Sequence, residues 1–342
     1  MRFCIDISWM CSILANMRQT DTKEAYINQI TEICGVSRST IFRFMAGEQV
    51  RESSRKKITE AMASLDGKNE GAEDSPLKEI AVSINSPDFD IFKGNSEALS
   101  GILEQATTLG IPVRLERDLS PEKREGVGVV IVGKHGSVLM DECTLLKSQQ
   151  VPFVVVNRMI ADRNVSYAAV DNVACGRDMA DHLISEGYKR IAFWGEQTTM
   201  VSCAKLEGYK EALSEHGIPY DPDLVVTDVD AHPLPEAFSS FMALPSKPDA
   251  FMTMDDETAL KVIRIAVTNG ISVPGDLAVS GMNDIDASKN VMPSISSISI
   301  SFRKLGAYAV DILVDLAKEP DKLSEKVVIN HRLMIRDSTK RG

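Results

Sequence analysis

Nowhere do the apolar residues of this 342-residue chain gather into a run of about 18, so no stretch is long enough for a bilayer-spanning helix. No two cysteines stand as Cys-x-x-Cys. Cys4, Cys11, Cys34, Cys143, Cys175 and Cys203 are scattered, which points to reduced, buried thiols rather than disulfides or a zinc site. His135, His182, His216, His232 and His331 lack metal-ligand spacing and read as solvated loop or helix residues. There is no Gly-x-Ser-x-Gly nucleophile elbow. Gly133-Lys134-His135-Gly136-Ser137 lacks the glycine and lysine spacing of a phosphate loop. Asp255-Asp256 resembles a carboxylate pair, but neighbours opening a helix point apart, and an N-cap role suits one of them better. With no catalytic, metal or cofactor constellation, the chain does not read as an enzyme. Acidic residues outnumber basic ones, 49 to 38. A net charge of -11 argues against nucleic-acid binding over the whole surface and leaves room only for a local basic patch.

What is present is an ordinary apolar fraction and a length that suits two or three folded units. Residues 1–24 form an extension. Met1 to Ala15 is apolar with Arg2 near its start, yet Asp6 interrupts the run and no small-x-small cleavage site follows. A start assigned too far upstream, with Met17 as the natural beginning, is the expected explanation, and a genuine arm is the alternative. Residues 25–65 read as three short helices. Ile27, Ile30, Ile33 and Cys34 mark one apolar face, Gly35-Val36 breaks the helix, and Ser37 caps the next. That second helix buries Thr40, Ile41, Phe44 and Met45. The third, from near Ser53, buries Ile58, Ala61, Met62 and Leu65. Each helix has a single apolar stripe, so the three must cover one another. Residues 66–79 are a linker of glycine, small polar and acidic residues.

From Ile80 to Asp337 the rhythm alternates. Strand-length apolar runs are Ile80–Ile84, Val127–Val132, Phe153–Val156, Arg190–Trp194, Ala250–Thr253 and Leu277–Met282. Amphipathic helical stretches are Ser96–Leu109, Cys175–Glu186, Ala204–His216, Glu257–Asn269 and Arg303–Ala317. This alternation predicts an α/β fold of parallel sheets with helices on both faces, and ligands at the carboxyl ends of the strands. No internal repeat or low-complexity tract interrupts it.

The short helices suit a helix-turn-helix, whose second helix enters the major groove of DNA. At about 100° per residue, Arg38, Ser39, Phe42 and Arg43 fall opposite the buried set. Arginine can bond guanine bidentately, serine is permissive, and phenylalanine can touch a thymine methyl. Between Ser37 and Lys57 stand six basic residues (Arg38, Arg43, Arg51, Arg55, Lys56, Lys57) against Glu48 and Glu52, a local excess of +4. Phosphate contacts supply much of DNA affinity, so this local charge outweighs the acidic total. The bland alternative is a solvated three-helix cap.

The segment ITEICGVSRSTIFRFMAGEQVRESSRKKI resembles the DNA-binding domain of the LacI/GalR family of bacterial repressors, through Gly35-Val36-Ser37, Thr40, Arg43, Gly47, Val50 and Arg55. VPFVVVNR, the VDN at Val170 to Asn172, GRDMADHLISEGYKRIAFWG, LEGYKEALSEHGIPYDPDLV, KPDAFMTMDDETALKVIRIAVTNGISVPGDLAVSGMNDID and MPSISSISISFRKLG resemble its effector domain. The resemblance spans roughly residues 25 to 337, with its blocks in order. It implies a fold of two Rossmann-like lobes, as in periplasmic sugar-binding proteins, with the ligand in the cleft. It places Arg38 and Ser39 at the main specificity positions and Arg43 at the base-reading arginine. Ser37, Thr40, Phe42, Arg55 and Lys57 complete the expected DNA-facing set. The implied effector contacts are Asn157, Arg158, Asp171, Lys205, Asp255 and Asn283, with Phe92, Trp194 and Met252 as flat walls. Asp171-Asn172 reads equally as a structural turn.

The chain also departs from the family. The family's hinge helix carries a minor-groove leucine after Tyr-x-Pro-Asn. Here Asp66, Glu70, Glu73 and Asp74 face only Lys68, and no apolar wedge is present. A flexible tether is expected instead. Between Leu115 and Val127 there is space for no more than a short helical turn where the family has a full helix, so dimerisation through the first lobe is expected to be weaker. Asparagine stands at 157 and 283 where the family commonly has aspartate, and Cys203 and Lys205 stand where it often has arginine, so the ligand need not be the usual sugar. The expected protein is a cytoplasmic, homodimeric, non-enzymatic repressor with no cofactor and no membrane partner. It would bind a double-stranded DNA operator and a sugar-like effector. The competing reading is a sugar sensor or transport protein whose DNA-binding head no longer functions.

Overall fold

In a computed structural model of the chain, the described residues are 27–28, 30–45, 50–66, 76–84, 93–117, 119, 124–195 and 199–341. The chain divides into two compact units, Met1–Asp74 and Ser75–Gly342. The expected 1–24 extension lies outside the described residues, as do residues 67–75 of the expected linker; Asp66 closes a helix and Glu79 opens a strand.

In the first unit residues 30–34 are helical and end at Gly35, whose φ of +65° is left-handed. Ser37 then opens the helix Arg38–Met45: its carbonyl accepts from Thr40 and Ile41, and its hydroxyl meets that of Thr40 at 2.8 Å. A further helix runs Glu52–Asp66. Ile27, Ile30, Ile41, Ile58 and Ala61 are buried together, with Cys34, Val36 and Phe44 against them. Ile33 is not part of that core and is 48% exposed. Its direction, about 60° beyond Ile30 on the helix wheel, carries it past the edge of the stripe. The side chains of Met45, Met62 and Leu65 lie outside the described residues.

The second unit holds two six-stranded sheets. The first contains β1 (Glu79–Ile84), β2 (Val113–Glu116), β3 (Val127–Val132), β4 (Phe153–Val156), β5 (Ser166–Val170) and β11 (Lys326–Ile329), in the order β11-β5-β4-β3-β1-β2 and parallel throughout. The second contains β6 (Ile191–Trp194), β7 (Val225–Val226), β8 (Ala250–Thr253), β9 (Ala278–Met282), β10 (Ser296–Ser299) and β12 (Arg332–Met334), in the order β12-β10-β9-β8-β6-β7. Its strands are parallel except β12, which runs antiparallel to β10. Only Asn330 and His331 separate β11 from β12. The two strands lie in different sheets, so this short link carries the chain directly from the first lobe to the second.

Continuous apolar runs form the inner strands because both sheet faces are covered. Residues alternate between the faces. Val82, Val130 and Val154 meet the helices Lys93–Thr108 and Phe302–Lys318, while Ala81, Val129 and Val155 meet the opposite cluster, where Leu139, Cys143 and Leu146 of helix Gly136–Ser148 lie. In the second lobe Ile191, Phe193 and Met252 pack with helices Asn172–Ser185 and Met200–Glu215. Ala192, Phe251 and Val279 pack with helices Leu234–Ala243 and Asp256–Thr268. The described residues between β2 and β3 form no helix.

Neither lobe is continuous in sequence. The chain leaves the first lobe after β5, returns through helix Phe302–Lys318, and crosses once more between β11 and β12. The second lobe also runs past the expected end at Asp337: Ser338 and Thr339 are buried, and Ser338 donates to the Val279 carbonyl at 2.6 Å.

Candidate functional site

A cavity of about 410 Å³ opens between the two lobes at the carboxyl ends of their strands. The first turns of six helices meet there. Gly94 and Asn95, His135, Asn172, Thr199 with Ser202, Asp255 with Thr258, and Phe302 each open a helix and line the space. This follows from the topology: in a parallel sheet each strand hands over at its carboxyl end to a helix whose exposed N–H groups point into the crevice.

Of the expected effector contacts, Asn157, Arg158, Lys205, Asp255 and Asn283 line this cavity. Asn157 and Asn283 follow β4 and β9 with φ of +58° and +93°, a conformation asparagine tolerates better than most side chains. Each N–H donates across to the next strand at 2.8 Å, to Ala168 and Ile298 respectively, so the two lobes repeat one corner. The Arg158 Nη1 donates to the Asn157 carbonyl at 2.7 Å. Among the described residues its Nε has no partner, and neither has the Oδ1 of Asn157 or Asn172. Burial pulls the Arg158 guanidinium down to about 10. Lys205 stands in the second turn of its helix, fully enclosed, and its Nζ donates to the Met254 carbonyl at 2.9 Å. Burial lowers its pKa, against the opposing pull of nearby anionic groups such as Asp255.

The Asp255-Asp256 pair divides as the N-cap reading requires. The Asp255 carboxylate accepts from the Thr258 N–H at 2.6 Å at the cavity wall. Asp256 turns into the lobe, where its Oδ2 accepts from the Ile285 N–H at 2.8 Å and burial pushes its carboxyl up to about 7.

Other expectations require correction. Asp171 does not line the cavity; its carboxylate caps helix Asn172–Ser185 by accepting from the Ala174 N–H at 3.0 Å, and its neighbour Asn172 faces the space instead. Met252 is fully buried in the core, and Met254, just past the strand end, supplies the wall. Trp194 lines the cavity while its indole N–H donates to the His232 carbonyl at 3.2 Å. Phe92 lies outside the described residues. His135 lines the cavity rather than sitting free in solvent. His182 is buried against the Thr339 hydroxyl at 2.7 Å, and His331 meets Asp178 at 2.8 Å. Cys203 is exposed where buried thiols were expected. Asn95, Thr199, Ser202 and Thr258 also went unnoticed in the sequence; their common signal is the first helical turn after a strand.

A larger groove, about 1050 Å³, runs beside the crossing segments. Within its lining Arg303 pairs with Glu97 and Lys289 with Asp284, and Arg303 also meets Glu104 beside it. The buried groups still open to a ligand gather in the smaller cavity.

In the first unit, Ser37, Arg38, Ser39, Phe42, Arg43, Arg55, Lys56 and Lys57 are exposed and Thr40 is half-buried. Around their helix Ser39, Phe42 and Arg43 lie about 100° or more from the buried Ile41 and Arg38 about 60° from it, and all four are exposed. Among the described residues no cluster of His, Cys, Asp and Glu forms a metal site, and no helix is long and apolar enough to cross a membrane.

Two lobes closing on a polar cavity define a ligand-binding domain, and residues 180–339 match the family described as periplasmic binding protein-like domain. Over 331 residues the chain is 24% identical to the probable HTH-type transcriptional repressor ExuR of Bacillus subtilis (strain 168), covering 92% of this chain and 98% of that one. It is 28% identical over 331 residues to the catabolite control protein A of Priestia megaterium, covering 92% and 99%. A solved complex of the transcriptional regulator CelR with cellobiose shares the fold with a TM-score of 0.68 at 24% identity, over 91% of this chain and 99% of that one. Over nearly its whole length the chain is thus similar to transcriptional repressors and regulators of the LacI kind, and residues 180–339 carry the periplasmic binding protein-like domain.

Proposed function

We propose that the chain is a cytoplasmic repressor that binds a double-stranded operator as a homodimer, and that a small hydroxylated molecule held between the lobes changes its grip on DNA. The observation that carries this reading is the cavity, where buried donors and acceptors without partners converge from both lobes. Such groups are costly to leave unmet, and a polar ligand satisfies them. A ligand that touches both lobes favours one relative placement of them, which is all that a coupling between two sites requires. The cellobiose held by the related CelR agrees with a sugar-like class.

In the DNA-binding head, Arg38 and Ser39 set specificity, Arg43 and Phe42 read bases, and Ser37, Thr40, Arg55 and Lys57 hold phosphates. In the effector unit, Asn157, Arg158, Lys205, Asp255 and Asn283 hold the ligand. Asp171 orients the Asn172 corner as a helix cap.

The test is fluorescence anisotropy on DNA from upstream of the protein's own gene, with and without candidate sugars. Tight, salt-sensitive binding that a ligand alters supports the reading. A protein that binds a ligand but shows no preference for any upstream sequence would be a sensor without a working head.

A further inference from the structure

Resting on the effector reading above, we propose that the ligand is an anion: a small hydroxylated acid whose negative group sits between Arg158 and Lys205. The cavity's charge is unbalanced. Among the described residues that line it, Arg158 and Lys205 are cationic and Asp255 alone is a carboxylate. Asp255 is already engaged as a helix cap through the Thr258 N–H. Neither cation forms an ion pair within the described residues. Arg158 donates only to the carbonyl of Asn157, and Lys205 only to the carbonyl of Met254. Lys205 is buried and Arg158 half-buried, and burial pulls both towards the neutral form. A buried charge normally has a counter-charge, because removal from water is otherwise uncompensated.

The backbone reinforces the imbalance. Six helices present their first turns to the cavity, and each such end carries partial positive charge and N–H groups without helical partners. The unpartnered Nε of Arg158 offers a directed donor for an oxyanion. The opposite chemistry is present as well. The Oδ1 atoms of Asn157 and Asn172 are buried acceptors without donors, and they call for hydroxyl groups on the same ligand. One end of the ligand is therefore acidic and the rest carries hydroxyls. A volume of about 410 Å³ holds a small molecule of this kind and no polymer.

The shared chemistry is an oxyanion, which a carboxylate or a phosphate can supply. The experiment titrates the full chain with three matched sets: five- and six-carbon aldoses and alditols, the corresponding aldonates and uronates, and the aldose phosphates. Binding is read from the fluorescence of Trp194 in the cavity wall and from the melting temperature. At least one acid or phosphate should bind about 30-fold or more tighter than its neutral parent. The set that contains it decides between carboxylate and phosphate. Lys205→Met should abolish that preference while the free protein melts no lower than the parent, because a buried charge without an ion-pair partner has been removed. Arg158→Gln repeats the test should the first variant fail to fold. A neutral aldose or alditol that binds as tightly as its charged counterparts overturns the anionic assignment and leaves the effector reading standing. Silence toward all three sets overturns both.

Discussion

Replacing Gly176 with alanine sets two effects of known size against each other. Gly176 lies in helix Asn172–Ser185 where it crosses helix Met200–Glu215. A Cβ built there would stand 2.1 Å from the carbonyl oxygen of Lys205 and 2.9 Å from its Cα. The crossing is equally tight from the other side, where a Cβ on Gly208 would meet the Val173 carbonyl oxygen at 1.9 Å. Helix propensity alone favours the alanine by up to about 1 kcal/mol. Overpacking costs typically about 1–3 kcal/mol, and here the obstacle is backbone on both sides, which no rotamer change relieves. Sterics should therefore win, with a net loss of up to about 2 kcal/mol. In a unit of this size each kcal/mol lowers the melting temperature by roughly 2–4 °C. The displaced carbonyl belongs to Lys205, so effector affinity should fall together with stability. Circular dichroism melts and a ligand titration on Gly176→Ala measure both. A variant that melts at or above the parent temperature would refute the close crossing and leave propensity as the controlling term.

The Asp256 carboxyl titrates near 7 rather than 3.8, so the folded protein holds a proton that the unfolded chain has lost. Its contribution is full below about pH 4 and is lost as pH rises through about 7. Asp256→Asn should accordingly flatten the stability profile between pH 5 and 8 and raise stability at pH 8 by roughly 1–3 kcal/mol, as urea melts across that range would show. In DNA binding, Arg43→Ala should cost about 1–3 kcal/mol at the operator and relax base preference, whereas Lys57→Ala should weaken all sequences about equally. Unchanged operator preference in Arg43→Ala would place the recognition face elsewhere. The linker, two glycines and no apolar wedge between Asp66 and Ser75, should leave the operator nearly straight, and a sharp bend between half-sites in a circular-permutation gel assay would overturn that expectation.

The inner strands are legible because burial on both faces leaves an unbroken apolar run, as in Val127–Val132. β5, SYAAV, escapes notice because its apolar positions are small, and β11, KVVI, because it is an edge strand with exposed positions. Helix Gly136–Ser148 opens on a glycine at φ +59° and has no side-chain cap, so it carries no start signal. The cavity residues at strand ends can be located from the alternation, but register within a corner cannot. The capping Asp171 and the cavity-facing Asn172 are neighbours in sequence, and a single residue lies between the core Met252 and the wall Met254. The burial of His182 depends on Thr339, a partner 157 residues away that no local pattern announces.

The interleaved connection of the lobes also sets an order of assembly at the ribosome. Strand β5 is complete at Val170, yet helix Phe302–Lys318, which covers β3, β4 and β5, and the neighbouring strand β11 come from the last part of the chain. At about 5–20 residues per second, the roughly 150 residues between them take about 7–30 s to synthesise. Through that interval the first sheet has an apolar face and an open edge waiting for chain not yet made, a condition that favours chaperone capture or aggregation. The second lobe needs only β12 and the short tail after it, so the lobe that is begun first depends on the longer stretch of late sequence.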